Sequence, residues 1–175
     1  MVQKVYILDH LGERRDNAMK ILENQTLIME NVLSYRGKLT QQEFAVKLQQ
    51  IQEIIENSEA SKNGSIATTT YAVEQNGNEQ IMDVEILVPL DRKIQLTQEY
   101  TLKDKIFITN ALKISHKGNP AQLQTTVTEL NNYIVSNELI PITTCYNVTV
   151  REVEDPSQID LMEIDIYVGI SPNKL

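Results

Sequence analysis

Apolar residues recur at helical spacing in two stretches of the chain. Between residues 40 and 57 they fall on one helix face, and Thr40 followed by Glu43 forms a capping-box pattern that marks where this helix begins. In the second stretch Asn119 can cap a helix and Pro120 is tolerated at its first position, so a helix is predicted to run to about residue 136. The inward-facing residues are Phe44, Leu48, Ile51 and Ile55 in the first helix and Leu123, Val127, Leu130 and Ile134 in the second.

Segments rich in apolar and β-branched residues predict strands on either side of each helix. Residues 27–35 and 106–116 precede the two helices. Residues 66–74 and 80–90 follow the first helix and flank an Asn76-Gly77 pair, which is a strong hairpin signal. Residues 142–150 and 160–169 follow the second helix and flank a longer, acidic loop.

The two halves of the chain therefore share one order of elements. Residues 27–55 align with residues 106–134 without a gap, and their hydrophobic patterns coincide. We predict an α+β protein built from two duplicated strand–helix–strand–strand units with pseudo-twofold symmetry. Its antiparallel sheets should carry the helices on one face and leave a groove between the units. The predicted boundaries are 27–90 for the first unit, 91–105 for a polar linker and 106–175 for the second unit, all within one domain.

Residues 1–26 are predicted to be an N-terminal extension, because they match neither unit. Within it, residues 5–8 are a candidate strand and residues 18–22 a candidate helix start. The codons that can encode Glu13, Arg14 and Arg15 resemble a bacterial ribosome-binding site placed before Met19. One hypothesis is therefore that translation starts at Met19 and that residues 1–18 lie upstream of the true start.

Charge and composition narrow the range of partners. The net charge is −8, and Lys and Arg do not cluster, so we expect no nucleic-acid partner. The longest unbroken apolar run, residues 86–90, is too short to span a bilayer, and the N-terminus has no secretory apolar region. The only cysteine, Cys145, lies in a predicted strand. These features predict a cytoplasmic protein without a membrane partner.

Motifs for cofactor binding or catalysis are missing from the sequence. The two His residues and Cys145 are scattered and lack the spacing of metal ligands. Neither a Gly-rich phosphate loop nor a nucleophile elbow occurs. His116 is interpreted as a polar residue that closes a strand before a Gly turn. We therefore predict no metal, no cofactor and no catalytic residue.

Acidic residues alternate with apolar residues in the last strand of each unit. Because strand side chains point alternately to opposite faces, Glu163, Asp165 and Tyr167 face away from the helices. Asp83 and Glu85 do the same in the first unit. Two interpretations remain open at this point. The acids belong to a ligand-binding surface, or they cover the solvated face of an antiparallel sheet, which alternates in this way without any function.

The second unit contains three short motifs in a fixed order: residues 115–118 (Ser-His-Lys-Gly) after a strand, residues 133–139 (Tyr-Ile-Val-Ser-Asn-Glu-Leu) at a helix end, and Tyr146. In these motifs it resembles a known family, the GyrI-like effector-binding domain found in AraC-type regulators. The family pattern ends in a Glu-x-aromatic-x-Pro strand, in which Asp165 and Tyr167 fill the acidic and aromatic places and Gly169 replaces Pro. The resemblance covers residues 27–170.

This resemblance implies two units around a ligand groove, and a stand-alone protein similar to those of Gram-positive bacteria. Family members bind small molecules, many of them cationic or aromatic, and a few hydrolyse their ligands. A carboxylate and an aromatic face together attract a cation. The departures are an Asp in place of the usual Glu, a Tyr in place of the frequent Trp, and no Trp anywhere in the chain. The candidate ligand-binding residues are Asp165, Tyr167, Glu85, Glu163, Tyr146 and Tyr71, with Tyr35 as a weaker candidate.

Three functions follow as hypotheses. The first is a non-catalytic protein that binds a small organic ligand, in particular a cation, in the groove between the units. The second is a protein-interaction module whose acidic surface contacts a basic partner protein. The third and least favoured is a small-molecule hydrolase.

Overall fold

A computed structural model of the chain describes residues 20–153 and 155–173. Six strands and two α-helices make up most of this part of the chain. Two 3-10 helices, Pro120–Gln122 and Pro156–Leu161, precede the second α-helix and the last strand. The strands are β1 (Leu22–Leu39), β2 (Ala67–Asn76), β3 (Glu79–Pro89), β4 (Thr101–Lys117), β5 (Tyr146–Arg151) and β6 (Glu163–Gly169), and the helices are α1 (Gln41–Asn57) and α2 (Leu123–Ser136).

The strands pair antiparallel and close into a barrel in the order β1-β3-β2-β5-β6-β4. Long pairings join β1 to β4 and to β3, whereas β2 and β5 meet in only two residue pairs, Ala67–Val148 and Thr68–Asn147. We call this short contact the β2–β5 seam. The predicted α+β class is confirmed. The seam joins a strand of the first half to a strand of the second and so closes the sheet around an interior.

Each helix covers one half of the outer barrel surface. In α1 the residues Ile51 and Ile55 are buried against β1 and β3, and in α2 Leu130 and Ile134 are buried against β4 and β6. The predicted capping box of α1 is confirmed, since Thr40 accepts a bond from the Glu43 amide and the Glu43 side chain accepts one from the Thr40 amide. Within the described ranges, neither helix is long and apolar enough to cross a membrane.

The predicted starts of β1 and β4 are wrong. Strand β1 begins at Leu22, inside the predicted extension and where a helix start was predicted, and β4 begins at Thr101, inside the predicted linker. Both strands are longer because they pair with each other, which satisfies the backbone of their polar ends. The predictions for residues 5–8 and for a start at Met19 concern residues outside the described ranges.

The final two strands are shorter than predicted. Residues 142–145, including Cys145, precede β5, and Asp160 and Leu161 belong to a 3-10 helix. That helix begins because the Asp155 side chain accepts a hydrogen bond from the Ser157 amide and Pro156 follows at a position that suits it. The predicted hairpin after β2 is confirmed, with Gly77 in the left-handed region at φ 61°.

The inward and outward alternation of β1 and β4 changes phase within each strand. Asn31 and Asn110 adopt left-handed φ angles of 50° and 53°. Before Asn31, Leu27 and Met29 point into the barrel, and after it Val32 does so. At Asn110 the register of β4 against β1 shifts by one residue, and such an extra residue moves the following side chains to the other face. The phase change decides which polar side chains of β1 and β4 reach the interior.

We expect loss of the α1 cap to destabilise the protein and loss of the matching residue of α2 to have little effect. Thr40→Ala removes a side-chain acceptor from the first turn and should lower the free energy of unfolding by about 0.5–2 kcal/mol. Gln122→Ala is the control, because Gln122 makes no side-chain capping bond. Urea unfolding of both variants measures the difference. Equal losses would contradict the assigned role of the capping box.

Candidate functional site

The barrel interior is mainly apolar but contains two acidic residues. Its buried apolar residues come from every strand except β6. Glu85 on β3 and Asp165 on β6 are only 4% and 6% exposed. The interpretation of a solvated sheet face is therefore wrong for these two acids. Buried charges need partners, so the surroundings of each carboxylate define the candidate site.

Glu85 receives three hydrogen bonds from three different strands. Ser34 Oγ on β1 and Lys103 Nζ on β4 each lie 2.5 Å from Oε1, and Tyr71 OH on β2 donates to Oε2 at 2.8 Å. Burial raises the pKa of the Glu85 carboxyl, but the bonds from Lys103, Ser34 and Tyr71 together outweigh it. The pKa therefore lies below its usual range, and Glu85 is ionised at neutral pH.

Asp165 has a similar but separate set of partners. Ser115 Oγ donates to Oδ1 at 2.5 Å, and Lys113 Nζ lies 2.5 Å from Oδ2. Burial lowers the pKa of Lys113, but the hydrogen bond and charge of Asp165 and the effect of Tyr167 together outweigh it, so the pKa is raised. The Lys113 ammonium also lies 5.7 Å from the ring centre of Tyr167. The predicted acid and aromatic pair therefore holds a cation, and this cation belongs to the chain itself.

The candidate tyrosines lie on two sides of the sheet, some toward the barrel interior and one toward the helices. Burial, followed by the bond to Glu85, raises the pKa of Tyr71 to about 12, and the Arg36 guanidinium stacks on the Tyr71 ring at 3.7 Å. Tyr146 packs against the interior cluster and is paired in register with Tyr167. Tyr35, the weaker candidate, lies on the wrong side of the sheet, where it packs near Tyr100 under α1.

Not all predicted site residues come together. Glu85 and Tyr71 share one hydrogen-bonded group, and Asp165 and Tyr167 share another through Lys113. Glu163 stands apart at the start of β6, where its carboxylate pairs with Lys117 at 3.4 Å. The donors to the two carboxylates were not among the predicted site residues; they are Ser34, Lys103, Lys113 and Ser115.

Gly169 occupies the position where the family pattern has Pro, and the structure explains why. Its backbone amide donates to Thr143 Oγ1 at 2.9 Å, a bond that Pro cannot make. A Cβ at this position would lie 2.9 Å from Ile108 Cγ2 and 3.0 Å from Thr143 Cγ2. Close approach of β6 to its neighbours therefore requires glycine.

His116 has a structural role. It is 5% exposed, its Nδ1 lies 2.8 Å from Thr126 Oγ1, and its Nε2 lies 3.0 Å from the Asn119 carbonyl oxygen. These contacts fix the start of α2 to β4. Cys145 is partly buried, and burial raises the pKa of its thiol. Across residues 20–153 and 155–173, His, Cys, Asp and Glu form no group of three or more that could hold a metal ion.

Comparison with solved structures places the chain in a known fold class. It is similar to the EcmrR chain of a complex with DNA, with 17% identity and a TM-score of 0.69 over 89% of this chain and 57% of that one. It is similar to the EcmrR C-terminal domain, with 15% identity and a TM-score of 0.66 over 89% and 97%. A structure described as a hydrolase from Listeria innocua matches with 13% identity and a TM-score of 0.54 over 87% and 91%.

These similarities establish the fold and nothing finer. The protein has the fold of the EcmrR C-terminal domain and spans just over half of the EcmrR chain seen with DNA. No family model matches the sequence. No curated protein matches it significantly.

We expect Lys113, which is mostly covered, to contribute far more to stability than an exposed lysine on the same strand. Lys113→Met leaves Asp165 buried with only the Ser115 hydroxyl, and should lower the free energy of unfolding by about 3–5 kcal/mol. Lys117→Met is the matched control, because the Lys117 side chain is 72% exposed and its pair with Glu163 should contribute less than about 1 kcal/mol. Urea unfolding at neutral pH measures the loss of stability in both variants. Similar losses would contradict the assigned role of the Lys113–Asp165 pair.

The pH dependence of stability should report the charge on Glu85. The pKa of the Glu85 carboxyl is lower in the folded state than in the unfolded chain. The ionised carboxyl therefore adds to the free energy of unfolding above its unfolded-state pKa, and this contribution is lost as the pH falls through the folded-state pKa. Glu85→Gln should therefore cost roughly 1–3 kcal/mol at neutral pH and progressively less in acid. Urea unfolding of both proteins between about pH 7 and pH 3 tests this. A constant difference would show that the charge is not what these contacts stabilise.

Proposed function

We propose that this protein binds a small organic cation at Glu85, where the ligand takes the place of the Lys103 ammonium. The observation that carries the proposal is the unequal solvent exposure of Glu85 and Lys103 in their ion pair. The Glu85 side chain is 5% exposed and that of Lys103 is 39% exposed. A flexible and partly hydrated ammonium can leave a buried carboxylate when another cation replaces it, because the total charge of the interior is conserved.

Lys103 is better suited to this exchange than Lys113. The Lys113 side chain is 22% exposed and faces both Asp165 and the Tyr167 ring. Lys103 instead bonds Glu85, which also accepts a hydrogen bond from the partly exposed Tyr71. Tyr146 is also near, since the charge of Glu85 contributes to its raised pKa after burial. Tyrosine faces beside a carboxylate favour a quaternary or aromatic cation over a small inorganic ion.

We further propose that the chain is a GyrI-like effector-binding domain made of two copies of one unit. Equivalent positions in the two halves support the duplication. Both Asn31 and Asn110 have positive φ, and their carbonyls accept bonds of 3.1 Å from Leu90 and Ile170. The similarity to the fold of the EcmrR C-terminal domain and the family-like motifs of the second half support membership in this family.

The same geometry does not favour a hydrolase that uses Glu85. A general acid or base works best with a pKa near the operating pH, whereas the donors around Glu85 lower its pKa. The protein-interaction hypothesis is kept as the alternative that a failed ligand search would support.

We expect Glu85 and Lys103 variants to change cation affinity in opposite directions. Calorimetric titration with choline and benzyltrimethylammonium, and with 3,3-dimethylbutan-1-ol as the neutral analogue of choline, should give binding of the cations only. Glu85→Gln should weaken binding by about tenfold or more, because a charge-assisted contact is lost. Lys103→Met should strengthen it by about tenfold, because the internal competitor is removed.

Glu74→Gln is the matched control, since Glu74 is exposed and pairs only with Lys38 among the contacts described. It removes the same charge and should leave affinity unchanged. Lys103→Gln supplements Lys103→Met if the latter unfolds. Unchanged affinity in Glu85→Gln would refute the assigned site. If neither the wild-type protein nor the Lys103 variants bind any cation, a salt-sensitive protein partner should be sought by pull-down.

A further inference from the structure

A second concave site lies on the outer surface of the barrel, between the two helices. It is a cavity of about 490 Å³ lined by α1, α2 and the strands beneath them. This volume is in the range of pockets that hold small organic molecules. Ile55 and Val88 line the cavity and belong to the helix side of the sheet, so the cavity is on the opposite face from Glu85. It is therefore distinct from the interior site.

The cavity exists because the two halves of the molecule separate above the β2–β5 seam. Thr68 and Asn147, which pair across the seam, form part of its floor. Each helix packs on its own half, α1 on β1 and β3 and α2 on β4 and β6. The surface over β2 and β5 therefore lies between the helices. Phe44 and Leu48 of α1 and Leu123 of α2 form apolar walls.

The floor of the cavity carries an unusual polar group. Among the described residues, Asn147 Oδ1 is shielded from solvent and has no hydrogen-bond partner. Buried amide oxygens are normally hydrogen-bonded, so this one calls for an explanation. The terminal torsion of Asn is soft, and a turn of the amide would bring the oxygen into the cavity, where a ligand N–H or O–H could satisfy it.

The charges around the cavity restrict the ligand further. Its charged lining residues, Lys62 and Glu152, are exposed and of opposite sign, so the site favours neither an anion nor a cation. We propose that this cavity binds an uncharged, mainly apolar small molecule that carries one N–H or O–H donor for Asn147. The class includes indoles, phenols and similar hydrophobic alcohols.

The test uses two probes with the same ring system, in one of which a methyl group replaces the N–H hydrogen. 2-Phenylindole and 1-methyl-2-phenylindole have the same ring system, and only the first has an N–H. The chain contains no Trp, so the indole fluorescence of the probe can be followed without protein indole background. We expect 2-phenylindole to bind about tenfold more tightly than its N-methyl derivative, because only the N–H can satisfy the buried oxygen.

Two variants separate the hydrogen bond from the cavity. Asn147→Leu should abolish the preference for the N–H probe while leaving the affinity of the N-methyl probe within about twofold of wild type. Thr149→Phe places a large side chain in the cavity and should abolish binding of both probes. Asn132→Leu makes the Asn-to-Leu change at an exposed position of α2 and should have no effect. Urea unfolding establishes that each variant is folded.

Equal affinities for the two probes, or a preference that survives in Asn147→Leu, would overturn the proposal. So would the absence of binding to the wild-type protein. Choline and benzyltrimethylammonium should not displace 2-phenylindole, because the two sites lie on opposite faces of the sheet. Displacement would show that the indole occupies the Glu85 site instead. The outcome is therefore independent of whether the proposed cation site exists.

Discussion

The burial of two carboxylates inside a small barrel constrains the rest of this structure. An ionised carboxyl group removed from water costs several kcal/mol unless hydrogen-bond donors and an opposite charge surround it. Glu85 and Asp165 each obtain a serine hydroxyl and a lysine ammonium from β1 or β4. These two long strands must therefore keep their register with β3 and β6, because a slip of one residue would move the donors to the other face.

Local patterns predicted much of the fold. The helical apolar face and the Thr40 capping box depend on residues a few positions apart, and both were confirmed. Closure of the barrel could not be predicted in this way. It depends on the short seam between β2 and β5, which joins residues about 80 positions apart and has no sequence signature of its own.

The candidate site was only half predictable for a related reason. Glu85 and Asp165 could be placed because β3 and β6 alternate regularly beside them. Their lysine partners were missed for two reasons. Lys103 falls in the segment that was predicted to be a linker, and Lys113 lies beyond Asn110, where β4 changes phase. Asn tolerates the left-handed region but does not require it, so no sequence rule identifies where such a change occurs. When a strand changes phase, some charged side chains point into the barrel although regular alternation would place them outside.

The internal lysines change the meaning of an acid beside an aromatic ring. Asp165 and Tyr167 carry out the predicted chemistry, but the cation they hold is Lys113. An acidic and aromatic motif therefore indicates that a cation is stabilised, without indicating whether the cation is part of the chain. The exposure of the lysine separates the two cases, because replacing the less exposed ammonium requires more complete desolvation of its replacement. By this criterion we assign Asp165 to the scaffold, and Glu85, with its more exposed partner, is the carboxylate at which we propose that a ligand binds.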